Sequence, residues 1–199
     1  MQGITRRLVG GSVAMLLGLG LTQSAAAQTK GIELNGFAGL YAPTPTDGQQ
    51  DALQAVRRGS LAFGGRVTYW TGKTLGVEFT GAFSPARVKV ATVGAAYAHS
   101  TRFLAGSGKL MFNLTPSSKL LGIAVGAGPA YIHIDKTVID PTASTSKVGG
   151  VGGVSVRIRL ADQLSLRGDA EDYLYSADFG KGSKTANDIW LTGGISIHF

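Results

Sequence analysis

Acidic and basic residues recur at a spacing of two along several stretches of this 199-residue chain. Arg167, Asp169 and Glu171 follow this spacing, which puts their side chains on one face of an extended strand. Opposite charges that share a buried, low-dielectric space have to pair, because an unpaired buried charge is strongly unfavourable. We therefore predict one interior charge cluster of five cations and four anions: Glu33, Arg66, Glu78, Lys109, Arg157, Arg159, Arg167, Asp169 and Glu171.

Two interpretations of this cluster are open. It is either a fixed set of ion pairs that fills a closed space, or a switchable gate that passes small ions when the pairs exchange partners. Turn positions predict which charges face each other across neighbouring strands. With turns centred on Gly72 and Asp162, the opposed residues are Arg66 with Glu78 and Arg157 with Arg167.

Serine and histidine side chains offer a second kind of chemistry. Ser196 and His198 share one strand face, and Glu33 on a neighbouring strand can complete a nucleophile, base and acid trio. That trio points into the interior, so it is interpreted as a hydrogen-bond cluster rather than a catalytic site. A second histidine, His133, precedes Asp135 by two residues at a loop margin. Cysteine is absent, and neither paired histidines at metal-ligand spacing nor a phosphate-binding loop occurs, so no catalytic residue, metal or cofactor is predicted.

The elements that must position these side chains are β-strands. After Gln28 the apolar residues recur with a period of two, which predicts strands at 31–42, 60–71, 74–85, 100–115, 119–133, 148–160, 163–175 and 187–199. Short and long connections alternate between them. This alternation is typical of an all-β, eight-stranded antiparallel up-and-down barrel, with the short turns on one rim and the longer loops on the other.

Periodicity alone does not tell a soluble barrel with an apolar lumen from a membrane barrel with an apolar exterior. In 119–133 the polar face carries Gly and Ala instead of the Lys and Glu of a water-exposed surface. Strands of ten to twelve residues, tilted by about 40°, rise roughly 25 Å, the height of a membrane apolar band. The apolar face is therefore predicted to contact lipid, with aromatic girdles formed by Tyr41, Tyr69, Trp70, Phe83, Phe112, Tyr131, Tyr173, Tyr175, Trp190 and Phe199.

The first 27 residues differ from the rest. Arg6 and Arg7 precede an apolar run and the small residues Ala25 to Ala27, which predicts a cleavable signal peptide over residues 1–27 and a barrel domain over 28–199. Charged residues make up 16% of the chain, below the roughly 25% of soluble domains. The net charge of +7 includes the two signal arginines, and basic runs with interleaved aromatics are missing, so nucleic acid is not a predicted partner.

The signal, the eight alternating strands and the final strand "LTGGISIHF" resemble the small outer-membrane β-barrels of Gram-negative bacteria, the OmpA/OmpX-like group. This resemblance implies residence in the outer membrane among lipid and lipopolysaccharide. It also implies escort by periplasmic chaperones, and insertion by the barrel-assembly machinery, which reads the terminal Phe199. A monomer is expected. Pro129 departs from the strand pattern, so a bulge or frayed rim is predicted there.

The loop at 43–59 predicts a helical turn around Ala52–Arg57. Cations in the long loops are expected to solvate the rim and pair with lipopolysaccharide phosphates, or to form a surface that binds a partner. The sequence thus predicts a non-enzymatic outer-membrane barrel that serves envelope integrity and surface interaction. The alternatives are a narrow ion or small-solute channel gated by the charge cluster, and a barrel enzyme that modifies lipid A.

Overall fold

The computed structural model describes residues 31–43, 54–57, 60–92, 95–135, 144–178 and 183–199. The predicted signal peptide lies outside these residues. None of the described residues form a helix long and apolar enough to cross a bilayer. The described strands are β1 (Gly31–Pro43), β2 (Gln54–Arg57), β3 (Ser60–Trp70), β4 (Leu75–Thr92), β5 (Ala95–Asn113), β6 (Leu121–Asp135), β7 (Thr145–Ala161), β8 (Leu164–Asp178) and β9 (Ser183–His198).

Eight of these strands close into a barrel. They follow the order β1, β3, β4, β5, β6, β7, β8, β9, each strand is antiparallel to its neighbours, and β9 pairs with β1. The backbone N–H of Phe199 donates to the carbonyl of Ile32 at 2.9 Å, and that of Ile32 donates to Phe199 at 3.2 Å. Closure leaves no open edge in the barrel wall, and it confirms the predicted eight-stranded antiparallel fold.

One predicted register is right and one is wrong. Arg157 faces Arg167 across β7 and β8, as predicted. Glu78 faces Thr68 rather than Arg66, which faces Thr80. The turn between β3 and β4 is longer than predicted, because the N–H of Thr71 donates to the carbonyl of Leu75 at 2.9 Å and leaves three residues in the loop. The shift is two residues, so the side chains stay on their predicted faces.

The prediction of a helical turn around Ala52–Arg57 is wrong for the part that the structure describes. Residues Gln54–Arg57 form β2, which pairs antiparallel with the end of β4. β4 and β5 are also longer than predicted and stay in register from Leu75 and Phe112 to Thr92 and Ala95. Backbone pairing along this extended hairpin therefore outweighs the local helical propensity of the loop.

Pro129 lies in the middle of β6 and causes no bulge. Pairing with β5 stops after Ser107 and Ala130 and resumes at Leu110 and Ala127 in the same register. On its other side, Pro129 pairs with Gly150 of β7 without interruption. The predicted bulge or frayed rim is wrong: a residue without an N–H interrupts one ladder locally, and the intact pairing on either side keeps the register.

The apolar parity faces outward on every barrel strand that the structure describes. Phe79 of β4 is 64% exposed and Leu110 of β5 is 72% exposed, although both lie within the paired part of their strands. A surface this apolar is typical of a wall in contact with lipid. The predicted aromatic girdle is wrong for five of its members, because the following residues share the parity of the interior charges and point inward: Tyr41, Trp70, Tyr173, Tyr175 and Trp190.

Barrel interior as candidate functional site

Arg167 of β8 pairs with three acids in the interior. Its Nη2 lies 2.7 Å from Glu78 Oε2 and 2.7 Å from Asp169 Oδ1, and its Nη1 lies 3.3 Å from Glu33 Oε1. All four side chains are at most 3% exposed. Three acids from three strands therefore converge on one guanidinium, which is the geometry that a forked, planar donor favours.

Lys109 of β5 continues this set of ion pairs. Its Nζ lies 2.8 Å from Glu78 Oε1, and it also pairs with Glu171. Glu78 accepts a further hydrogen bond of 2.7 Å from the hydroxyl of Thr68. Each oxygen of this buried carboxylate therefore lies beside a cation, Oε1 beside Lys109 and Oε2 beside Arg167.

Arg66 of β3 joins the same acids from the opposite wall. Its Nη1 lies 3.3 Å from Asp169 Oδ2, and its Nη2 lies 3.1 Å from Glu171 Oε2. Its guanidinium carbon lies 3.9 Å from the ring centroid of Phe37, a cation–π distance. Arg66 thus joins the ion pairs to the apolar part of the lumen.

The two remaining predicted cations differ in their surroundings. Arg157 places Nη2 at 3.1 Å from Glu33 Oε2, with 17% of its side chain exposed. Arg159 is exposed beyond it and makes no ion pair within the described part of the chain. The structure therefore brings eight of the nine predicted residues together, as four cations and four anions: Arg66, Lys109, Arg157, Arg167, Glu33, Glu78, Asp169 and Glu171. We call these eight residues the ion network.

Small residues provide the room for these long side chains. A Cβ placed on Gly122 of β6 would be in ordinary contact with the Cβ of Arg157 at 3.5 Å, and one on Gly153 of β7 would lie 2.6 Å from the backbone carbonyl oxygen of Ala170 and 3.0 Å from the Cγ of Glu171. An eight-stranded barrel has an interior only wide enough for side chains, so large residues must face small ones. The glycines at these inward positions are therefore part of the packing of the ion network.

A second group of inward side chains lies nearer the long-loop rim. The ring of Tyr41 lies 4.8 Å from that of Phe103 and 5.2 Å from that of Trp190, and Tyr173 lies 5.8 Å from Trp190, measured between centroids. All four side chains are at most 2% exposed. We call these four residues the aromatic layer. It packs across the lumen above the ion network through tilted and edge-on ring contacts at favourable distances.

The sequence placed these aromatic residues in the wrong environment, although a signal for the right one was present. Tyr41 has the parity of Glu33 along β1, and Tyr173 has the parity of Glu171 along β8. Strand alternation alone therefore assigns them to the lumen. Their closeness to strand ends, which is typical of girdles, was the misleading observation.

The Ser196, His198 and Glu33 trio does not assemble. The hydroxyl of Ser196 donates to Glu33 Oε1 at 2.8 Å, but His198 places Nε2 at 2.7 Å from Ser165 Oγ instead. Glu33 pairs with Arg157 and Arg167. Glu33, Ser165, Ser196 and His198 are all buried within the lumen. Among the described residues, acids and histidines also form no group of three or more that could hold a metal ion.

A family model described as the outer membrane protein beta-barrel domain matches residues 12–199. The chain belongs to this family. It is therefore an integral outer-membrane barrel, as the resemblance predicted, and its apolar outer wall contacts the lipid of that membrane.

Solved structures of other outer-membrane proteins share the barrel fold. OprG from Pseudomonas aeruginosa gives a TM-score of 0.58 at 16% identity, covering 86% of this chain and 96% of that chain. The N-terminal β-barrel domain of OprF from the same organism gives 0.56 at 11% identity, covering 86% and 98%. A major outer membrane protein from Thermus thermophilus gives 0.54 at 15% identity, covering 86% and 100%. No curated protein matches the chain.

Phe199 of this outer-membrane barrel lies on the lipid face, where it is 40% exposed. Its backbone pairs with Ile32 at the start of β1. The side chain therefore ends an outward row that also contains Ile195 and Ile197 of β9, at the short-turn rim. The ring of Phe199 is therefore accessible from the membrane side.

Proposed function

We propose that the body of this barrel is a closed structural element of the outer membrane with no catalytic site in its lumen, which supports envelope integrity and carries surface contacts on its long-loop rim. The filling of the lumen at two levels is the observation that supports this role. The ion network spans one level, and the aromatic layer spans the other. A water-filled path would have to pass both.

The paired state of the charges supports a closed lumen. Glu33, Glu78 and the guanidinium of Arg167 have no exposed side-chain surface. Buried pairs of this kind are costly to break, because each separated charge keeps its desolvation penalty. Conduction through the network therefore requires several hydrogen bonds and ion pairs to break together.

The apolar outer wall of the barrel indicates which partners it contacts. Outer-membrane barrels of this family contact lipid and lipopolysaccharide through such a wall. We propose that this barrel is a monomer, since closure consumes both strand edges. We also propose, from the family resemblance, that periplasmic chaperones escort the chain and that the barrel-assembly machinery reads the strand that ends in Phe199.

A narrow ion channel is the second candidate, and one observation favours it. Glu78 has three cations within ion-pair distance: Lys109 at 2.8 Å, Arg167 at 2.7 Å and Arg66 at 3.8 Å. A carboxylate with several donors can exchange partners without losing all of them. Such exchange could open a path at the level of the ion network, although the aromatic layer would still have to move.

Planar-bilayer recording of the purified full chain distinguishes the two candidates. We expect no steady conductance across a series of salt concentrations and pH values. A conductance that Glu78→Gln changes and Arg159→Gln leaves alone would overturn the closed role in favour of the gate. The envelope role has its own test, the sensitivity of a deletion strain to large antibiotics, and unchanged sensitivity would contradict it.

A further inference from the structure

A polar cluster on the outer wall stands apart from the lumen. We propose that Ser146, His133 and Asp135 form a serine-hydrolase triad on this wall, which cleaves an acyl ester of a membrane lipid. This activity goes beyond the structural role of the barrel body and departs from the expectation of a non-enzymatic chain. We call these three residues the outer-wall triad.

The strand register brings the outer-wall triad together. His133 of β6 and Ser146 of β7 face each other directly, and Asp135 follows two residues after His133 on the same face. Ser146 Oγ lies 2.9 Å from His133 Nδ1, and Asp135 Oδ1 lies 3.0 Å from His133 Nε2. A nucleophile, a base and an acid that orients the base are thus connected by hydrogen bonds.

The directions of these hydrogen bonds follow from the chemistry of the groups. A carboxylate only accepts, so His133 Nε2 carries the proton that is donated to Asp135. In the neutral imidazole, Nδ1 is then the acceptor, and Ser146 is its donor. Tyr131 donates its hydroxyl to Ser146 Oγ at 2.8 Å, which leaves the serine proton free to point at the histidine. This is the arrangement that a general base requires before it activates a serine.

The wall around the outer-wall triad changes from apolar to charged. On the membrane side, the exposed side chains are Tyr131 at 51%, Val148 at 76% and, across from His133 on β5, Leu104 at 44%. Arg102, also exposed, faces Asp135 on the rim side. Acyl chains would lie along the apolar part, and an anionic head group would lie near Arg102, which brings the ester between them close to Ser146.

The reaction proceeds by acyl transfer in two steps. Ser146 Oγ attacks the ester carbonyl, its proton passes to His133 Nδ1, and Asp135 stabilises the resulting imidazolium. The histidine returns the proton to the alcohol oxygen as the ester bond breaks. Water then attacks the acyl-serine by the same route, which releases a fatty acid and restores the serine. Tyr131 Oη, already beside Ser146, is placed to donate to the oxyanion that forms.

The first test is covalent labelling of the full chain, purified in detergent from the outer membranes of an expressing bacterium. A fluorophosphonate reacts with activated serine hydroxyls, and peptide mass spectrometry identifies the labelled residue. We expect labelling at Ser146, its complete loss in Ser146→Ala, and a fall of at least about a hundredfold in rate in His133→Gln. Ser117→Ala, which removes an exposed serine from the turn after β5, should leave labelling unchanged.

The second test measures fatty acid release from two kinds of vesicle, one of glycerophospholipid alone and one that also contains lipopolysaccharide. Release from the first identifies glycerophospholipid esters as substrates, and release that requires lipopolysaccharide identifies its acyl esters. Either activity should fall at least about a thousandfold in Ser146→Ala. The proposal would be overturned if fatty acid release and labelling persist in Ser146→Ala. It would also be overturned if the wild type is not labelled and releases no fatty acid from either kind of vesicle. Heat-modifiable gel mobility controls for folding of each variant.

Discussion

The two levels of the lumen fill the same kind of space by different physics. At the level of the ion network, eight charged side chains from six strands share donors and acceptors. In the aromatic layer, four rings from four strands pack at centroid distances of 4.8 to 5.8 Å. Both levels use the same inward parity. The strands therefore determine only that a residue points inward, and the residue type determines how the lumen is filled.

This difference has an energetic consequence. Each member of the ion network depends on its partners, because a charge that loses its partner stays buried and unpaired. Each ring of the aromatic layer contributes through the area it buries and the cavity its loss would leave. The ion network is therefore sensitive to the identity of single residues, and the aromatic layer is sensitive to volume.

The largest effect is expected for Arg167→Met, which removes a cation shared by Glu33, Glu78 and Asp169. The free energy of unfolding should fall by about 4 kcal/mol, because three buried acids lose a partner. Urea titration in lipid vesicles, followed by gel mobility, measures it. Arg159→Met is the matched control, since Arg159 is exposed, and should change stability by less than about 0.5 kcal/mol. Similar losses in both variants would contradict a special role for the buried pairs.

Phe103→Ala tests the aromatic layer and should lower the free energy of unfolding by about 3 kcal/mol, because a cavity remains beside Tyr41 and Trp190. The matched control is Phe79→Ala on the lipid face, where lipid chains fill the space. Phe79→Ala should lower the free energy of unfolding by about 2 kcal/mol or less, which is the free energy of transferring the ring from water to an apolar environment. If Phe79→Ala lowers the free energy of unfolding as much as Phe103→Ala does, the packing of the rings contributes no stability beyond the burial of apolar area.

A pair of aspartates on β8 provides the smallest and most specific test. Asp169 pairs with Arg66 and Arg167, whereas Asp172 points to the lipid face, and none of the described residues donates a hydrogen bond to its Oδ1. Asp169→Asn should destabilise the barrel by about 2 kcal/mol, and Asp172→Asn should stabilise it by up to about 1 kcal/mol. The same urea titration measures both. Changes of the same sign in both variants would mean that the loss of a charge alone determines the change in stability, and not whether the residue faces the lumen or the lipid.

Much of the fold was predictable because strand alternation is a local property. The strand positions and the outward apolar face follow from the period of two, and eight of the nine predicted charges do point inward and pair. The individual pairs were not predictable, because they depend on turn length. The longer turn after Trp70 moved Glu78 from Arg66 to Thr68.

Side-chain clusters that cross strands were harder to predict. The aromatic layer required parity to be applied to residues near strand ends. The outer-wall triad required the register of β6 and β7 across a long connection, which the sequence does not contain. His133 and Asp135 were visible as a spaced pair, but the serine that faces them lies 13 positions from the histidine. The sequence of the connection between β6 and β7 does not show which residues of the two strands face each other across the barrel wall.

The pairing of β1 with β9 also determines when the barrel can be completed. It joins Asn35 to Ser196, residues 161 positions apart, so the pairing of the first strand cannot be completed before the last strand is present. Until then, one side of β1 carries unpaired backbone groups, which a bilayer interior does not tolerate. Consecutive hairpins can form early, but none of them can enter the membrane as a finished wall. Insertion is therefore coupled to closure as a single late event, and the chain stays in a partly folded form until its final strand arrives.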